Sequence, residues 1–268
     1  MEFPNINPVI FEIYGPVGLN WYGLMYLLGF AGAWLMGTIR SKAPGSPYNA
    51  EQVSDFLFYG FLGVVIGGRL GYVIFYMPMQ VLEDPLYPIR IWDGGMSFHG
   101  GLLGVLVAFW YFAKKSNTTF FTIADFFAPM VPIGLATGRF GNFVNGELWG
   151  RVTDLQSTPW AMIFPKADGN YRHPSMLYEC ILEGIVLFFI LYFYSRSPKP
   201  KMAVSGLFLL GYGTFRFIVE YYREPDSHLK ELAEFLSMGQ ILSLPMIIGG
   251  AVLMILAYRN QHKTANAV

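Results

Sequence analysis

The sequence predicts an all-α integral membrane protein with seven transmembrane helices, its N-terminus outside and its C-terminus inside. Hydrophobic residues make up 54% of the 268 residues and charged residues only 13%, well below the roughly 25% charged residues of soluble domains. Apolar stretches of about twenty residues, the length that crosses roughly 30 Å of hydrocarbon, recur along the chain. Lys and Arg gather in alternate loops, which sets the orientation.

Seven apolar stretches are long enough to be transmembrane helices. The fourth is the least regular, because Asp125, Pro129 and Pro132 interrupt it. Such residues persist in a membrane only where neighbouring helices or water satisfy the freed backbone groups. The predicted spans are Leu19–Ile39, Phe56–Met77, Met96–Ala113, Phe120–Phe140, Met176–Tyr194, Val204–Tyr221 and Met238–Tyr258.

The loops between these spans differ in charge. The eighteen basic residues balance the eighteen acidic ones, so we expect no nucleic-acid partner, and only the placement of charge is informative. The basic set of loops, which we expect to be cytoplasmic and in which Glu51 is the exception, contains Arg40, Lys42, Lys114, Lys115, Arg196, Lys199, Lys201, Arg259 and Lys263. The acidic or mixed set contains Glu83, Asp84, Arg90, Asp93, the stretch 147–172, Arg223, Glu224, Asp226, Lys230, Glu231 and Glu234.

We expect one polytopic domain, 1–268, with a small folded cap formed by the longest outer loop, 147–173. Trp149 and Trp160 are large apolar residues within this loop, and Asp168-Gly169-Asn170 is typical of a hairpin turn. The N-terminus has no basic residue ahead of an apolar run, so no cleaved signal peptide is expected.

The chain has one cysteine, Cys180, which excludes an internal disulfide. Its apolar surroundings favour an inert packing thiol over a nucleophile.

Three arginines lie in or beside the predicted spans, where each needs a partner or a task, because a charge at a helix centre costs about 2.5–3.5 kcal/mol. Arg69 follows Gly63 and Gly67 and precedes Gly71, which together form one helical face that permits close helix approach. Packing with a structural ion pair and a functional role are both open for Arg69.

Arg139 lies in a segment rich in hydrogen-bonding groups, Gly138-Arg139-Phe140-Gly141-Asn142-Phe143-Val144-Asn145-Gly146-Glu147. A guanidinium, two carboxamides, a carboxylate and glycine-exposed backbone suit a phosphate and its glycerol hydroxyls. Ordinary capping of a helix end by Gly and Asn is the alternative, but it does not explain the arginine.

The sixth span has a polar stripe. Tyr212, Arg216, Glu220 and Arg223 are spaced 4, 4 and 3 residues apart, which places them on one helical face. A purely structural salt-bridge ladder is an alternative, since Glu220 can pair with either arginine.

His99 opens the third span, where a lone histidine is often only a satisfied polar residue. Under the predicted orientation, however, independent helices bring polar groups to the outer half of the bilayer, which favours a site. These groups are Tyr22, His99, Arg139, Asn142, Asn145, Glu147 and the Glu220 end of the stripe.

Two enzyme classes lack their motifs. The four histidines are scattered without zinc-ligand spacing and no H-E-x-x-H occurs, so we expect no metal. There is no G-x-S-x-G elbow for a serine hydrolase.

The chain resembles the bacterial phosphatidylglycerol:prolipoprotein diacylglyceryl transferase family over nearly its whole length. The segment 138–147 matches the diagnostic motif of that family. The other matching segments are Trp21-Tyr22-Gly23, Gly67-Gly68-Arg69-Leu70-Gly71-Tyr72, His99-Gly100-Gly101, Arg172-His173-Pro174-Ser175, Tyr178-Glu179 and Arg216 to Arg223.

The resemblance implies a seven-helix inner-membrane enzyme with a periplasmic cap. Its donor would be phosphatidylglycerol, its acceptor the lipobox cysteine of a preprolipoprotein, and its products an S-diacylglyceryl prolipoprotein and glycerol 1-phosphate. The functional residues of the family fall on Tyr22, His99, Arg139, Asn142, Glu147, Gly150, Tyr212, Arg216 and Glu220.

The roles of these residues follow as hypotheses. A free thiol has a pKa near 8.5, so His99 would activate the substrate cysteine as a base or as an imidazolium. Arg139 and Arg216 would hold the phosphate, and Asn142 and Asn145 the glycerol hydroxyls. Glu220 would orient Arg216. We thus expect the catalytic residues to be His99, Arg139, Arg216 and Tyr212. The substrate site would include Arg139, Asn142, Asn145, Glu147, Gly150, Tyr22, Glu220 and Arg69, with Tyr22 and Tyr212 shaping the pocket, and we expect no cofactor.

Two other classes of protein stay open. A lipid transporter should show polar residues through both membrane halves, whereas the cytoplasmic half is comparatively bare, with Asp125 the main exception. A scaffold would not need His, Arg and Asn at one depth.

Overall fold

A computed structural model of the protein describes residues 1–4, 6–14, 17–224 and 236–265. Four charged residues used for the predicted orientation lie outside the described residues: Asp226, Lys230, Glu231 and Glu234.

Helices form most of the structure. In chain order they are α1 (Trp21–Ser41), α2 (Ala50–Tyr76), α3 (Gln80–Glu83), α4 (Phe98–Lys115), α5 (Phe120–Phe127), α6 (Val131–Val144), α7 (Ser175–Glu179), α8 (Leu187–Tyr194), α9 (Ala203–Val219) and α10 (Met238–Ala265). A π-helical segment, Cys180–Val186, joins α7 to α8, and 3-10 turns occupy Tyr87–Ile89, Ile91–Asp93 and Ala128–Met130. Two antiparallel hairpins pair β1 (Val9–Tyr14) with β2 (Val17–Asn20) and β3 (Met162–Ile163) with β4 (Tyr171–Arg172).

The chain divides into two compact units, Met1–Leu35 with Asp125–Val268, and Met36–Ala124. The expectation of one catalytic domain stays a prediction.

Within the described residues, five helices are long and apolar enough to cross a membrane, as is typical of a multi-pass membrane protein. They are Trp21–Ser41, Ala50–Tyr76, Phe120–Val144, Ser175–Tyr194 and Met238–Lys263. α9 is apolar but has only 17 residues. α4 has 18 residues, with His99 at one end and two lysines at the other. For these two helices, the span is still a prediction.

The N-terminal hairpin is a feature that the sequence analysis did not predict. Because Val17–Asn20 is paired with β1, α1 begins at Trp21 rather than at Leu19. At the other end of the fourth predicted span, α6 continues past Phe140 to Val144, so that Asn142 lies inside the helix.

The fourth predicted span is interrupted, as its prolines indicate, by the 3-10 turn Ala128–Met130 between α5 and α6. Asp125 in α5 accepts hydrogen bonds from the amides of Met202 (2.7 Å) and Ser205 (2.8 Å) and from the Ser205 hydroxyl (2.5 Å). Met202, the N-cap of α9, provides no side-chain cap of its own. The Asp125 carboxylate therefore caps α9 from another helix.

Glycines let α2 and α4 pack backbone against backbone within the unit Met36–Ala124. A Cβ on Gly63 would lie 2.5 Å from the carbonyl oxygen of Gly104, and one on Gly71 would lie 2.7 Å from Cα of Gly100. Neither leaves room for a side chain. The predicted glycine face of the second span is confirmed, and it packs against a helix of the same chain.

The π-helical segment lies close to α6 in the other unit. A Cβ on Gly184 would lie 2.5 Å from the Cβ of Ala136, and the thiol of Cys180 donates to the carbonyl oxygen of Ala136 at 3.3 Å. Cys180 is buried, as expected for a packing thiol. The close approach places Glu179, the last residue of α7, beside α6.

The loop 147–173 forms the predicted small cap. β3 and β4 are the two arms of a hairpin, and Asp168-Gly169-Asn170 lies in the connection between them. Phe164 is buried and its ring stacks on that of Trp149 at 6.2 Å. Both pack with Phe143 and Met176 from the helices. The hairpin is thus present, and the aromatic side chains of this loop pack against the helices.

The first prediction concerns the contact between α2 and α4. Gly104→Ala adds a methyl group that overlaps the backbone of Gly63, so we expect a loss of about 1–3 kcal/mol of stability, typical of overpacking. The midpoint of thermal unfolding of the purified protein measures it. Gly249→Ala is the matched control, since no atom lies within 4 Å of its Cβ. Equal midpoints for the two variants would contradict the close contact.

The second prediction concerns the cap. Asp168 accepts from Nε (3.0 Å) and Nη2 (2.8 Å) of Arg172, and this guanidinium holds the pKa of the Asp168 carboxyl well below its usual range. A carboxylate with a lowered folded-state pKa stabilises the fold above its unfolded pKa of about 3.9, and this contribution is lost as the pH falls further. We expect Asp168→Asn to increase proteolysis of the cap at pH 7.

The same comparison at pH 3 provides the control. There the difference in cap proteolysis between Asp168→Asn and the unsubstituted protein should be smaller than at pH 7. A difference of the same size at both pH values would show that the charge of Asp168 is not the cause.

Candidate active site

Arg139 and Asn142 lie three residues apart near the C-terminal end of α6, so they share a helical face. Asn145 is the C-cap, and Gly146 follows with a φ of +61°, a left-handed conformation that favours glycine. Asn145 and Gly146 therefore do end the helix, as the capping alternative supposed. Arg139 lies a turn and a half earlier and has no part in that cap.

Glu179 joins two of the predicted arginines. Its Oε2 lies 2.7 Å from Nε of Arg139, and its Oε1 accepts from Nη1 of Arg216. The Glu179 side chain is only 2% exposed. A carboxylate at this depth is stable only when it is paired. One buried carboxylate thus holds α6 and α9 together through α7.

Arg216 is surrounded by carboxylates. Besides Glu179, its Nη2 lies 3.1 Å from Oε2 of Glu220, one turn along α9. Glu220 in turn lies 3.9 Å from Nη1 of Arg223. The ladder predicted from the 4, 4, 3 spacing is therefore present from Arg216 to Arg223, although α9 ends at Val219.

Glu183 is a second buried glutamate, one turn beyond Glu179. Its nearest approach to a cation is 3.8 Å, between Oε1 and Nη1 of Arg216. Neither of its oxygens accepts a hydrogen bond from a residue that the structure describes. Glu183 is thus a neighbour of Arg216 without being bonded to it.

Glu147 accepts hydrogen bonds from both carboxamides that follow Arg139. Its Oε1 accepts from Nδ2 of Asn142 (2.8 Å) and, at 3.4 Å, from Nδ2 of Asn145. The hydroxyl of Tyr22, near the start of α1, interacts with the side chain of Asn142. It also lies 3.2 Å from the hydroxyl of Tyr26. Four of the predicted site residues therefore form one polar chain from α1 to the end of α6.

Gly150 lies where three backbone segments meet. Its amide donates to the carbonyl oxygen of His173 (2.8 Å), its own carbonyl accepts from Arg172 (2.9 Å), and it is bridged to Arg223. A Cβ here would lie 2.8 Å from the carbonyl oxygen of His173. The structure thus gives Gly150 a backbone role that joins the cap to the end of α9. Burial lowers the pKa of the adjacent His173 imidazole.

Tyr212 lies one turn before Arg216 on α9. Its ring stacks on Phe208 at 5.9 Å and packs against the buried cluster around Leu187 and Leu191. This position suits the predicted role of shaping the site more than a direct chemical role.

Arg69 and His99 belong to the unit Met36–Ala124. Arg69 is 2% exposed and donates to the carbonyl oxygens of Tyr87 (2.7 Å), Pro88 (3.3 Å), Gly94 and Gly95. These bonds account for its burial and favour the structural alternative, with carbonyls in place of an ion pair. The substrate-binding role of Arg69 stays a prediction, since these bonds use four of its five N–H groups.

His99 lies in the first turn of α4, whose N-cap is Ser97. Its side chain is exposed, and its ring packs edge-on against Phe98 at 5.7 Å. Among the described residues, none forms a hydrogen bond with this ring. Its predicted convergence with Arg139 stays a prediction.

The sequence analysis missed Glu179 as a site residue. It counted Glu179 only within the family resemblance. A usable signal was present: two acidic residues four apart inside the apolar span Met176–Tyr194, where every ionisable residue needs a partner. This cost applies to glutamates as well as to arginines.

The arrangement suits an anionic ligand. The Arg139 side chain is 23% exposed, and no described residue accepts a hydrogen bond from its two terminal amino groups. Its Nε edge is held by Glu179, so the opposite edge of the guanidinium is available to a phosphate, whose oxygens match the spacing of two amino groups. The carboxamides of Asn142 and Asn145 lie on the same end of α6.

Comparison with known proteins identifies the family. The family model described as prolipoprotein diacylglyceryl transferase matches residues 8–256. The phosphatidylglycerol–prolipoprotein diacylglyceryl transferase of Vibrio vulnificus is 60% identical over 262 residues, covering 98% of this chain and 95% of that protein.

Two further relatives carry the same name. The protein of Aliivibrio salmonicida is 58% identical over 265 residues, which cover 98% of this chain and 92% of the relative. The protein of Photobacterium profundum is 57% identical over 265 residues, which cover 99% of this chain and 98% of the relative. These matches confirm the resemblance seen in the sequence. The chain is therefore an enzyme that belongs to the prolipoprotein diacylglyceryl transferase family.

Proposed function

We propose that this protein transfers the sn-1,2-diacylglyceryl group of phosphatidylglycerol to the lipobox cysteine of a preprolipoprotein. The reaction forms a thioether and releases glycerol 1-phosphate, and it is the first step of bacterial lipoprotein maturation. The names of the relatives supply the donor and the acceptor protein. The observation that carries the proposal is Arg139, held at one edge by Glu179 and open at the other.

The bonds that change define what the site must do. The cysteine sulfur bonds to C3 of the diacylglyceryl group, and the bond between C3 and the phosphate oxygen breaks. The departing phosphate monoester gains negative charge, and the proton of the thiol must leave the sulfur. The site therefore needs a cation for the phosphate and a group that lowers the hold of the thiol on its proton.

In this proposal, Arg139 binds the phosphate through its terminal amino groups. Asn142 and Asn145 hold the glycerol hydroxyls, while Glu147 fixes both carboxamides through its Oε1. Tyr22 closes the polar chain on the α1 side. Arg216, with Glu220 beside it, lies next to this site at the end of α9 and is joined to Arg139 through Glu179. Tyr212 shapes the apolar wall and Gly150 sets the position of the cap.

His99 supplies the remaining function as general base, or as an imidazolium that pairs with the thiolate. Its exposed position at the first turn of α4 leaves the ring open to a substrate. The acceptor cysteine comes from the lipobox peptide, since the chain's own Cys180 is buried and its thiol donates a hydrogen bond to a backbone carbonyl oxygen.

We further propose seven spans, with α4 and α9 added to the five longer helices. At 1.5 Å per residue they are about 27 and 25 Å long, close to the thickness of the hydrocarbon core. The Lys and Arg distribution supports an orientation with the N-terminus outside, the C-terminus inside, and the cap with the site on the periplasmic side of the inner membrane. The chain acts as a single catalytic domain.

The third prediction tests the proposed function. The purified protein, mixed with phosphatidylglycerol and a lipobox peptide, should release glycerol 1-phosphate and add one diacylglyceryl group to the peptide mass. Arg139→Ala removes the phosphate contact, and we expect a loss in kcat of about 100-fold or more, the size found when a transition-state donor is removed.

Arg259→Ala is the matched control, because Arg259 is an exposed arginine on α10, and it should keep normal activity. Folded wild-type protein that releases no glycerol 1-phosphate would exclude the transferase. Normal turnover by Arg139→Ala would exclude the phosphate role.

The fourth prediction separates the base from the phosphate site. If His99 is the base, His99→Gln should lower kcat by about 100-fold or more without a matching rise in KM for phosphatidylglycerol. Rates with the same peptide over a pH series would measure this. Near-normal transfer by His99→Gln, together with an inactive Arg139→Ala, would show that the base role is wrong and leave the phosphate role intact.

A further inference from the structure

The two arginines beside Glu179 differ in what they can still bind. Each terminal amino group of Arg216 already faces a carboxylate, Nη1 that of Glu179 and Nη2 that of Glu220 at 3.1 Å. Arg139 uses only Nε, at 2.7 Å from Glu179. The exposed fractions agree, at 13% for the Arg216 side chain and 23% for that of Arg139. Of the two, Arg139 is the one open to a ligand.

Glu179 is placed to control the direction of the open arginine. It is the last residue of α7, and its carboxylate also forms an ion pair with Arg216 on α9. An unsupported arginine side chain has many rotamers, and fixing one of them when the ligand binds costs affinity. An ion pair at Nε removes much of this freedom beforehand and leaves the terminal amino groups facing away from Glu179.

The charge of Glu179 works against this benefit. A carboxylate beside Arg139 lowers the positive potential that attracts an anion. Loss of that charge alone would therefore strengthen binding of an anionic donor, whereas loss of orientation would weaken it. The two effects have opposite signs, so an isosteric neutral substitution distinguishes them.

We propose that Glu179 is a positioning residue which, held in place by Arg216, directs the terminal amino groups of Arg139 at the phosphate of the donor. Arg216 then acts on the phosphate through Glu179 and not by direct contact. The inference rests on the proposed function, since it names how the donor site of that reaction is built. It replaces the symmetric pair of phosphate-binding arginines expected from the sequence.

Glu179→Gln is the central variant, and Glu183→Gln is its matched control. Both residues are buried glutamates on the same helix, one turn apart, but Glu183 forms no hydrogen bond with a described residue. In the transfer assay, Glu179→Gln should raise KM for phosphatidylglycerol about fivefold and lower kcat/KM at least tenfold. Glu183→Gln should stay within about threefold of wild type in both. A variant with a smaller folded fraction would have a lower apparent kcat but an unchanged KM, so a raised KM is not explained by loss of folded protein.

A double-mutant cycle tests the role of Arg216. If Arg216 acts through Glu179, then Arg216→Gln and Glu179→Gln should each lower kcat/KM by a similar factor. The kcat/KM of the double variant should then lie within about threefold of that of the less active single variant. Effects that multiply would show that Arg216 contacts the phosphate independently, and would overturn the proposal. So would an unchanged or lowered KM in Glu179→Gln.

Thermal unfolding of each variant in detergent checks that it is folded. If Glu179→Gln is not recovered, Glu179→Asp takes its place: the shorter carboxylate keeps the charge but no longer reaches both arginines, so KM should still rise at least threefold, and a wild-type KM would contradict the inference. Wild-type turnover is recorded beside every variant. An inactive wild type contradicts the proposed function, whereas an active wild type with an equally active Glu179→Gln contradicts only the role of Glu179.

Discussion

The buried carboxylate of Glu179 must be matched by positive charge, and the helices around it are arranged to provide that match. Removing one partner from a buried ion pair costs about 3–5 kcal/mol, so α6, α7 and α9 are held in register by Arg139 and Arg216. The contact at 2.7 Å between Glu179 and Arg139 is possible only because the π-helical segment packs directly on α6, with Gly184 against Ala136. A side chain larger than hydrogen at position 184 would separate the charged groups.

Close helix contacts of this kind recur and are made by glycine each time. In the unit Met36–Ala124, α2 and α4 meet through glycines on both helices. In the other unit, a Cβ on Gly206 of α9 would lie 3.0 Å from the carbonyl oxygen of Gly250 on α10. Lipid is as apolar as the helix surfaces, so it gives little driving force for association, and close van der Waals packing has to replace it. This packing fixes α9, and with it the helix position of Arg216.

Much of the fold could be predicted from composition and local pattern. The apolar stretches, the break at Pro129 and the hairpin at Asp168 all follow from short-range properties of the chain. The N-terminal hairpin could not be predicted, because the pairing of β1 with β2 ends an apolar stretch that otherwise continues into α1. The partner of Asp125 was equally hidden, since the cap it provides lies 77 residues away at Met202.

The candidate site shows the same limit. Spacing along one helix was enough to predict the pairing of Arg216 with Glu220, because residues four apart in a helix are neighbours whatever the tertiary structure. The pairing of Arg139 with Glu179 joins two helices, and no periodicity in either helix contains that information. Sequence could indicate that both residues needed partners, but only the packing of the π-helical segment on α6 determines which partners they have.

The three arginines of the predicted spans make a more general point about buried charge. Arg69 is less exposed than Arg139, and yet its burial is fully explained by four backbone carbonyls. Arg216 is explained by carboxylates on two helices. Of the three, only Arg139 has two terminal amino groups whose hydrogen bonds no described residue accepts. The cost of a charge in a membrane therefore predicts that a partner exists, but not whether that partner is the protein itself. What indicates a ligand is the part of the charge that the protein leaves unmatched, and among these three residues that part lies on Arg139.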